Sequence, residues 1–192
     1  KEIFFFLLCS KTAQSREAIT TAIWPDLPPA RASSNFHINL YRIRRAIHPR
    51  ILVIEQGLYR INPSLNIWFD VDIFEQVAAR LQRSGADTPS LINNLEQAIA
   101  LYRGPFLSNI YSDWAEDKRR QMEEAYLKAL TTLAKLYSEA GQHSLSIATL
   151  EKYLAADPYQ DDVHCQLIEQ HLAVHDEAAA SRVYKKYYDT IA

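Results

Sequence analysis

The sequence predicts a mainly α protein in two parts: helices closed by a short β-hairpin, then a longer array of paired helices. Three observations carry that expectation. An amphipathic stretch bounded by prolines precedes two strand-like runs around a Gln-Gly pair. Apolar segments of helix length, separated by single breakers, fill most of the chain beyond the hairpin. Apolar positions in the last third recur at a spacing of 34 residues. The 192 residues allow one large domain or two small ones, and 48% apolar with 23% charged residues is the composition of an ordinary globular chain. That excludes disorder, a collagen and a coiled-coil rod. Two distant cysteines, Cys9 and Cys165, make neither a disulfide framework nor a zinc module and fit a reducing compartment.

The first element is the apolar run Ile3 to Cys9. It falls far short of the roughly 20 apolar residues that span a bilayer. Its flanks, Lys1 and Glu2 with no initiator Met, do not make a signal peptide, and Leu7-Leu8-Cys9 is set aside as a lipoprotein site for the same reason. The run reads as a buried helix in a chain that begins mid-protein. Being apolar on every side, it needs cover on several sides, expected from something upstream or from the second part. No membrane partner is expected.

Ser15 caps a second helix that ends at Ile23 before Pro25. Asp26-Leu27-Pro28-Pro29 is a rigid connector. A third helix is expected from about Ala30 to Ile47, where Phe36, Leu40, Ile43 and Ile47 are spaced four, three and four apart as one stripe and Pro49 ends it. Leu52–Glu55 and Leu58–Ile61 around Gln56-Gly57 read as a hairpin. Asn62-Pro63-Ser64 then breaks the chain, which sets the expected domains at 1–64 and 65–192.

Beyond the break, 67–71 is expected to be an extended lead-in. Helices are expected next at about 72–83, 90–102, 115–140, 144–156, 161–174 and 177–191, with breaks at Gly85, Arg103-Gly104-Pro105, Gly141 and Asp157-Pro158. Leu133, Tyr137, Leu150, Tyr153 and Pro158 recur 34 residues on as Leu167, His171, Tyr184, Tyr187 and Ala192. That period of paired helices is tetratricopeptide-like, with Ser146 and Ala180 as the small residues of the second helices. Such arrays bury a shared core and offer a concave surface for protein contact.

The net charge of −2 conceals an asymmetry. Residues 1–64 hold nine basic and four acidic residues, a net of +5, which leaves −7 for the rest. A basic part points to a polyanion. Opposite the apolar stripe, the third helix presents Ser34, Ile38, Tyr41 and Arg45, flanked by His37, Arg42 and His48, with Arg44 nearer the stripe. Arginine can fork onto guanine, isoleucine can touch a thymine methyl, Tyr and His can reach phosphates or base edges, and Arg44 meets phosphate. Helix, turn, helix and hairpin is a winged-helix layout, with Tyr59 and Arg60 on the wing. The expected partner is double-stranded DNA, held by a dimer or tandem heads because one head gives modest, salt-sensitive affinity. The competing reading is a protein-interaction scaffold whose basic head docks acidic partners while the array does the work.

The residues also resemble a known family. Ile23-Trp24-Pro25-Asp26 through Ala30-Arg31-Ala32, followed by Asn35 to Ile47, resembles the helix-turn-helix of Streptomyces-antibiotic-regulatory-protein regulators, and Gly57-Leu58-Tyr59-Arg60-Ile61 resembles their wing strand. Asp70 to Glu75, Ala100 to Leu107 and Ala155-Asp157-Pro158 resemble the bacterial transcriptional activator domain that comes after it. The resemblance covers essentially the whole chain. It implies an OmpR-like winged helix, a tetratricopeptide-like activator domain, and transcription activation in a bacterial cytoplasm. It also implies that the connector, through Asp26, Leu27 and Arg31, sits where such proteins meet RNA polymerase. Three features depart from the pattern: the small sheet upstream of the first helix is missing, Leu58 stands where a second wing glycine is common, and His37 stands where arginine is common. Similar modules occur inside larger regulators with ATPase or receiver domains, so an upstream regulatory domain is a further possible partner.

No enzyme, cofactor or metal is expected. The four glycines are isolated, so there is no phosphate loop, and no Gly-x-Ser-x-Gly elbow occurs. His164, Cys165, His171 and His175 come nearest to a zinc set, with the three histidines on one helix face, but no His-Glu-x-x-His pattern accompanies them and His171 takes the repeat position of Tyr137. Asp161 and Asp162 read as a helix start, and Tyr184, Tyr187 and Tyr188 as repeat core.

Overall fold

The computed structural model describes residues 1–80 and 88–191. The elements run α1 (Glu2–Cys9), β1 (Gln14–Ser15), α2 (Arg16–Ile23), α3 (Pro29–Ala46), β2 (Leu52–Glu55), β3 (Leu58–Ile61), α4 (Asp70–Arg80), α5 (Thr88–Leu101), α6 (Asp113–Glu139), α7 (His143–Ala156), α8 (Asp161–Ala173) and α9 (Glu177–Ile191). The expected break at Gly85, the helix end at 83 and the repeat position Ala192 lie outside the described residues. The chain divides into two compact units, one of Lys1–Trp68 with Pro105–Arg120, the other of Phe69–Gly104 with Gln121–Ala192. The expected cut after Ser64 falls close to the first of these boundaries, but a cut at one point cannot represent a segment that returns to the first unit.

That returning segment covers α1. Ile3 and Leu7 enter a core with Ile19, Ile23, Phe36, Leu40, Ile43, Ile51 and Leu52, and Trp114 packs against it. The Trp114 ring meets Phe6 edge-on at 5.3 Å. Glu2 Oε1 accepts hydrogen bonds from Ser112 Oγ (2.7 Å) and Trp114 Nε1 (3.1 Å). Arg119 holds the loop before α6 by donating to the carbonyls of Phe106, Leu107 and Ile110 at 3.0, 3.0 and 2.7 Å. A guanidinium fork suits this, because its donors are fixed in one plane and can serve several acceptors at once.

Ser15 caps α2 as expected, its Oγ accepting from the Ala18 N–H at 3.1 Å. Pro29 occupies the first position of α3, where a missing N–H costs nothing and the ring presets φ. The buried stripe of α3 is Ala32, Phe36, Leu40 and Ile43. Ile47, expected in that stripe, is 49% exposed. It is the C-cap, with φ −112° and ψ −70°, so the helical spacing no longer carries it to the buried face.

The hairpin forms over the expected residues, with Ile54 opposite Tyr59 and Glu55 opposite Leu58. Gln56 (φ 52°) and Gly57 (φ 77°) both take positive φ, the requirement of a two-residue type I′ turn. Leu58 already belongs to β3 and imposes nothing on the turn. One strand is unexpected. Gln14 and Ser15 pair with Tyr59 and Leu58, which makes β3 the centre of a three-stranded sheet of order β1-β3-β2. Two residues are too few to show an alternating pattern.

In the second unit α4 begins at Asp70, so Val71, expected in an extended lead-in, is helical and buried. Ser146 on α7 is fully buried, its Oγ donating to the Ala134 carbonyl of α6 at 2.9 Å, and Ala180 is buried at the same place in the next repeat. A small residue there lets paired helices approach. Gln170 ties three helices, accepting from His143 Nδ1 and donating to Ser138 Oγ, both at 2.9 Å. The Tyr137 hydroxyl donates to Glu96, and burial with that bond pushes the phenol up to about 12.

The repeat extends to the helix ends. After α6 the N–H groups of Gly141 and Gln142 donate to Ser138 and Tyr137. After α8 those of His175 and Asp176 donate to Leu172 and His171. Both are Schellman motifs, 34 residues apart, with the left-handed residue a glycine in one (φ 70°) and a histidine in the other (φ 60°). Tyr184, expected as repeat core, is 61% exposed. Its counterpart Leu150 on α7 is buried.

Two substitutions test this packing. Phe36→Ala lowers the stability of the first unit by about 3–5 kcal/mol in urea titration, as expected for an enclosed aromatic. His175→Gly raises the melting temperature of the second unit, relieving a left-handed non-glycine residue whose cost is about 1 kcal/mol.

Candidate nucleic-acid interface

Helix α3 carries four arginines and no acid over Pro29–Ala46. Burial of Phe36, Leu40 and Ile43 fixes its rotation, and the opposite side faces solvent. Ile38 is 48% and Tyr41 63% exposed, and Ser34, His37, Arg42 and Arg45 are exposed with them. Ser34 Oγ donates to the Ala30 carbonyl (3.1 Å), and His37 sets its ring against the edge of Phe36 at 5.6 Å. Arg44 is half-buried, as its place near the stripe predicts. Among the described residues no carboxylate lies within 4.0 Å of Arg31, Arg42, Arg44, Arg45 or Arg50. Arg44 and Arg45 stand in the last turn of α3, where cations complement the helix dipole.

His48 is half-buried, and its Nδ1 accepts the Arg50 N–H at 3.1 Å, so a neutral ring keeps its proton on Nε2. That turn brings in Arg50, an exposed cation with no carboxylate within 4.0 Å among the described residues. Its place in a loop after Pro49 gives it no helical periodicity, so no pattern in the sequence marks it.

The wing residues stand differently. Tyr59 is half-buried and meets Phe36 edge-on at 4.9 Å, so its ring is part of the head's packing. Arg60 Nη2 donates to both oxygens of Glu55 at 2.9 and 3.1 Å. The two are diagonal neighbours on one face of the hairpin. The pair is exposed, so it contributes little to stability, yet it neutralises the wing's arginine. In the connector Asp26 and Arg31 are exposed and Leu27 is half-buried, with its N–H donating to the Trp24 carbonyl at 3.2 Å.

Among the described residues no group of three or more His, Cys, Asp or Glu is placed to hold a metal ion. His164 is buried, His171 half-buried and His175 exposed beyond the end of α8, so the three histidines do not share one helix face. Asp161 and Asp162 are in the first turn of α8, whose N-cap is Gln160. Among the described residues no helix is long and apolar enough to cross a membrane.

Fold and site define a winged-helix head followed by an array of paired helices. A family model of the bacterial transcriptional activator domain matches residues 69–192, and the chain belongs to that family. It is 27% identical over 195 residues to the transcriptional regulatory protein MoaR1 of Mycobacterium tuberculosis, covering 97% of this chain and 63% of that one. It is 25% identical over 182 residues to the regulatory protein AfsR of Streptomyces coelicolor, covering 94% and 18%. The chain therefore spans less than two thirds of either relative, and both are named as regulators rather than enzymes. The structure of Mycobacterium tuberculosis EmbR in complex with a low-affinity phosphopeptide shares the fold at a TM-score of 0.71 and 21% identity, over 99% of this chain and 52% of that one.

The packing of Tyr59 gives a direct check. Tyr59→Phe leaves the head's stability within about 0.5 kcal/mol of the parent, whereas Tyr59→Ala lowers it by about 3 kcal/mol or more, both read from urea titration.

Proposed function

We propose that this chain is a sequence-specific, double-stranded-DNA-binding transcription regulator that acts as an activator in a bacterial cytoplasm. The observation that carries the reading is the outer face of α3, where unpaired Arg42 and Arg45 flank exposed Ile38 and Tyr41 on a helix without an acid. In the major groove such a face supplies forked donors for guanine and an apolar contact for a thymine methyl. Ser34, His37, Arg44, His48 and Arg50 serve phosphates or base edges, and the wing meets the backbone with Arg60 once Glu55 gives it up. Tyr59 acts by holding the wing against α3. We assign DNA binding to the winged-helix part, expected over 1–64, and protein contact or signal input to the array. The names of MoaR1 and AfsR support regulation as the role. A second copy or tandem head on repeated half-sites raises the affinity, and the connector residues Asp26, Leu27 and Arg31 contact RNA polymerase.

The test uses duplex sites selected from a random library by the full chain. Arg42→Ala with Arg45→Ala lowers affinity by about 100-fold or more in a gel-shift titration, since each forked contact contributes about 1–3 kcal/mol of discrimination. Affinity of the parent falls steeply with salt. Unchanged affinity in the double variant, or no selected site at physiological salt, overturns the reading in favour of a scaffold that docks acidic proteins.

A further inference from the structure

We propose that the cleft between α7, α8 and α9 binds a small organic carboxylate with an apolar body. The cleft has a volume of about 420 Å³, within the range of small-molecule sites. Its apolar lining comes from Leu154, Leu167 and Val183. Arg182, Lys186, His164 and His171 also line it, against one carboxylate, Glu151. Arg182 and Lys186 have no carboxylate within 4.0 Å among the described residues. Two free cations and two imidazoles thus converge in a unit whose net charge is −7. The neighbouring cleft between α6, α7 and α8 has the opposite balance, with Lys135 against Glu139 and Glu169, so an anion is directed to the first.

His164 gives the cleft a polar wall. It is buried, its Nε2 donates to the Pro158 carbonyl at 2.9 Å, and Tyr187 covers one ring face at 4.6 Å. The ring is held from two directions, yet the buried Nδ1 has no hydrogen-bond partner. With Nε2 as the donor, Nδ1 of a neutral ring is an acceptor: it takes a donor such as water or a ligand hydroxyl, and the carboxylate itself is held by Arg182 and Lys186. The preceding repeat carries different residues at these positions. The residue 34 positions before His164 is the fully buried Leu130, that before His171 is Tyr137, and that before Arg182 is Ala148. The second repeat keeps the fold of the first and differs from it at positions that line this cleft, with Arg182 among them as a cation. A carboxylate here meets Arg182 and Lys186 as charge-assisted acceptor, while its apolar body lies on Leu154, Leu167 and Val183.

Carboxylate binding is measured on the free chain, so its outcome does not depend on DNA binding. Hexanoate, octanoate, decanoate and 4-phenylbutyrate are titrated into the full chain by calorimetry at physiological salt, beside the corresponding amides. At least one acid binds saturably at one site, with its amide ten-fold or more weaker. Arg182→Ala with Lys186→Ala, its fold confirmed by circular dichroism, loses the binding ten-fold or more, and Lys135→Ala in the neighbouring cleft does not. Saturable binding by none of the four acids, equal binding of acid and amide, or unchanged binding in the Arg182/Lys186 variant overturns the proposal.

Discussion

What the first unit offers to a partner depends on one buried ring. Phe36 is fully enclosed, with Tyr59 at its edge and the α1 and α2 side chains around it. Enclosing a phenyl group stabilises by about 1.5–3 kcal/mol, and a helix that turns about 100° per residue has no freedom left once Phe36, Leu40 and Ile43 point inward. Ile38, Tyr41 and Arg45 are then outward as a consequence. An exposed isoleucine and tyrosine beside unpaired arginines are a cost the head bears because its core sets the rotation. The sheet depends on the same ring, since Tyr59 on the central strand is its edge partner.

Charge is divided in the same way. The +5 and −7 on either side of Ser64 hold for the two compact units as well, because Pro105–Arg120 adds three basic and three acidic residues to the first. The local distribution matters more than the sum. On α3 the arginines have no carboxylate within 4.0 Å among the described residues, whereas on the wing Arg60 is matched by Glu55. The head therefore has a cationic helix and a wing held near neutrality.

Much of this was legible because it is local. The Ser15 cap, the Pro29 start, the Gln56-Gly57 turn and the buried stripe of α3 are set by residues within a few positions of one another. What was not legible is tertiary. That α1 needs cover was legible, but not which residues supply it, through Glu2 with Ser112 and Trp114 more than a hundred positions away. The strand β1 exists only because β3 offers it an edge. Tyr59 reads as a wing contact until Phe36 is placed beside it, and Arg60 as a free cation until Glu55 is. Ile47 and Tyr184 fit their periodicities, but Ile47 falls where α3 ends and Tyr184 is exposed on α9.

The array shows how one repeat can acquire chemistry without losing shape. Ser146 and Ala180 occupy the same tight contact, and Gly141 and His175 close the same Schellman turn, so the backbone of the second pair tracks the first. In stacked repeats each unit needs only its neighbours for stability, which leaves individual positions free to vary once those contacts are met. Leu130 satisfies its position by burial alone. His164 is buried there too, but its second nitrogen lacks a partner, and an unsatisfied buried atom costs about 1–3 kcal/mol. The imperfection sits on the wall of a cleft that Arg182 and Lys186 also line. Leucine at 164 would pack as Leu130 does but would leave the Pro158 carbonyl without this donor, so the histidine serves both the turn before α8 and the wall of the cleft.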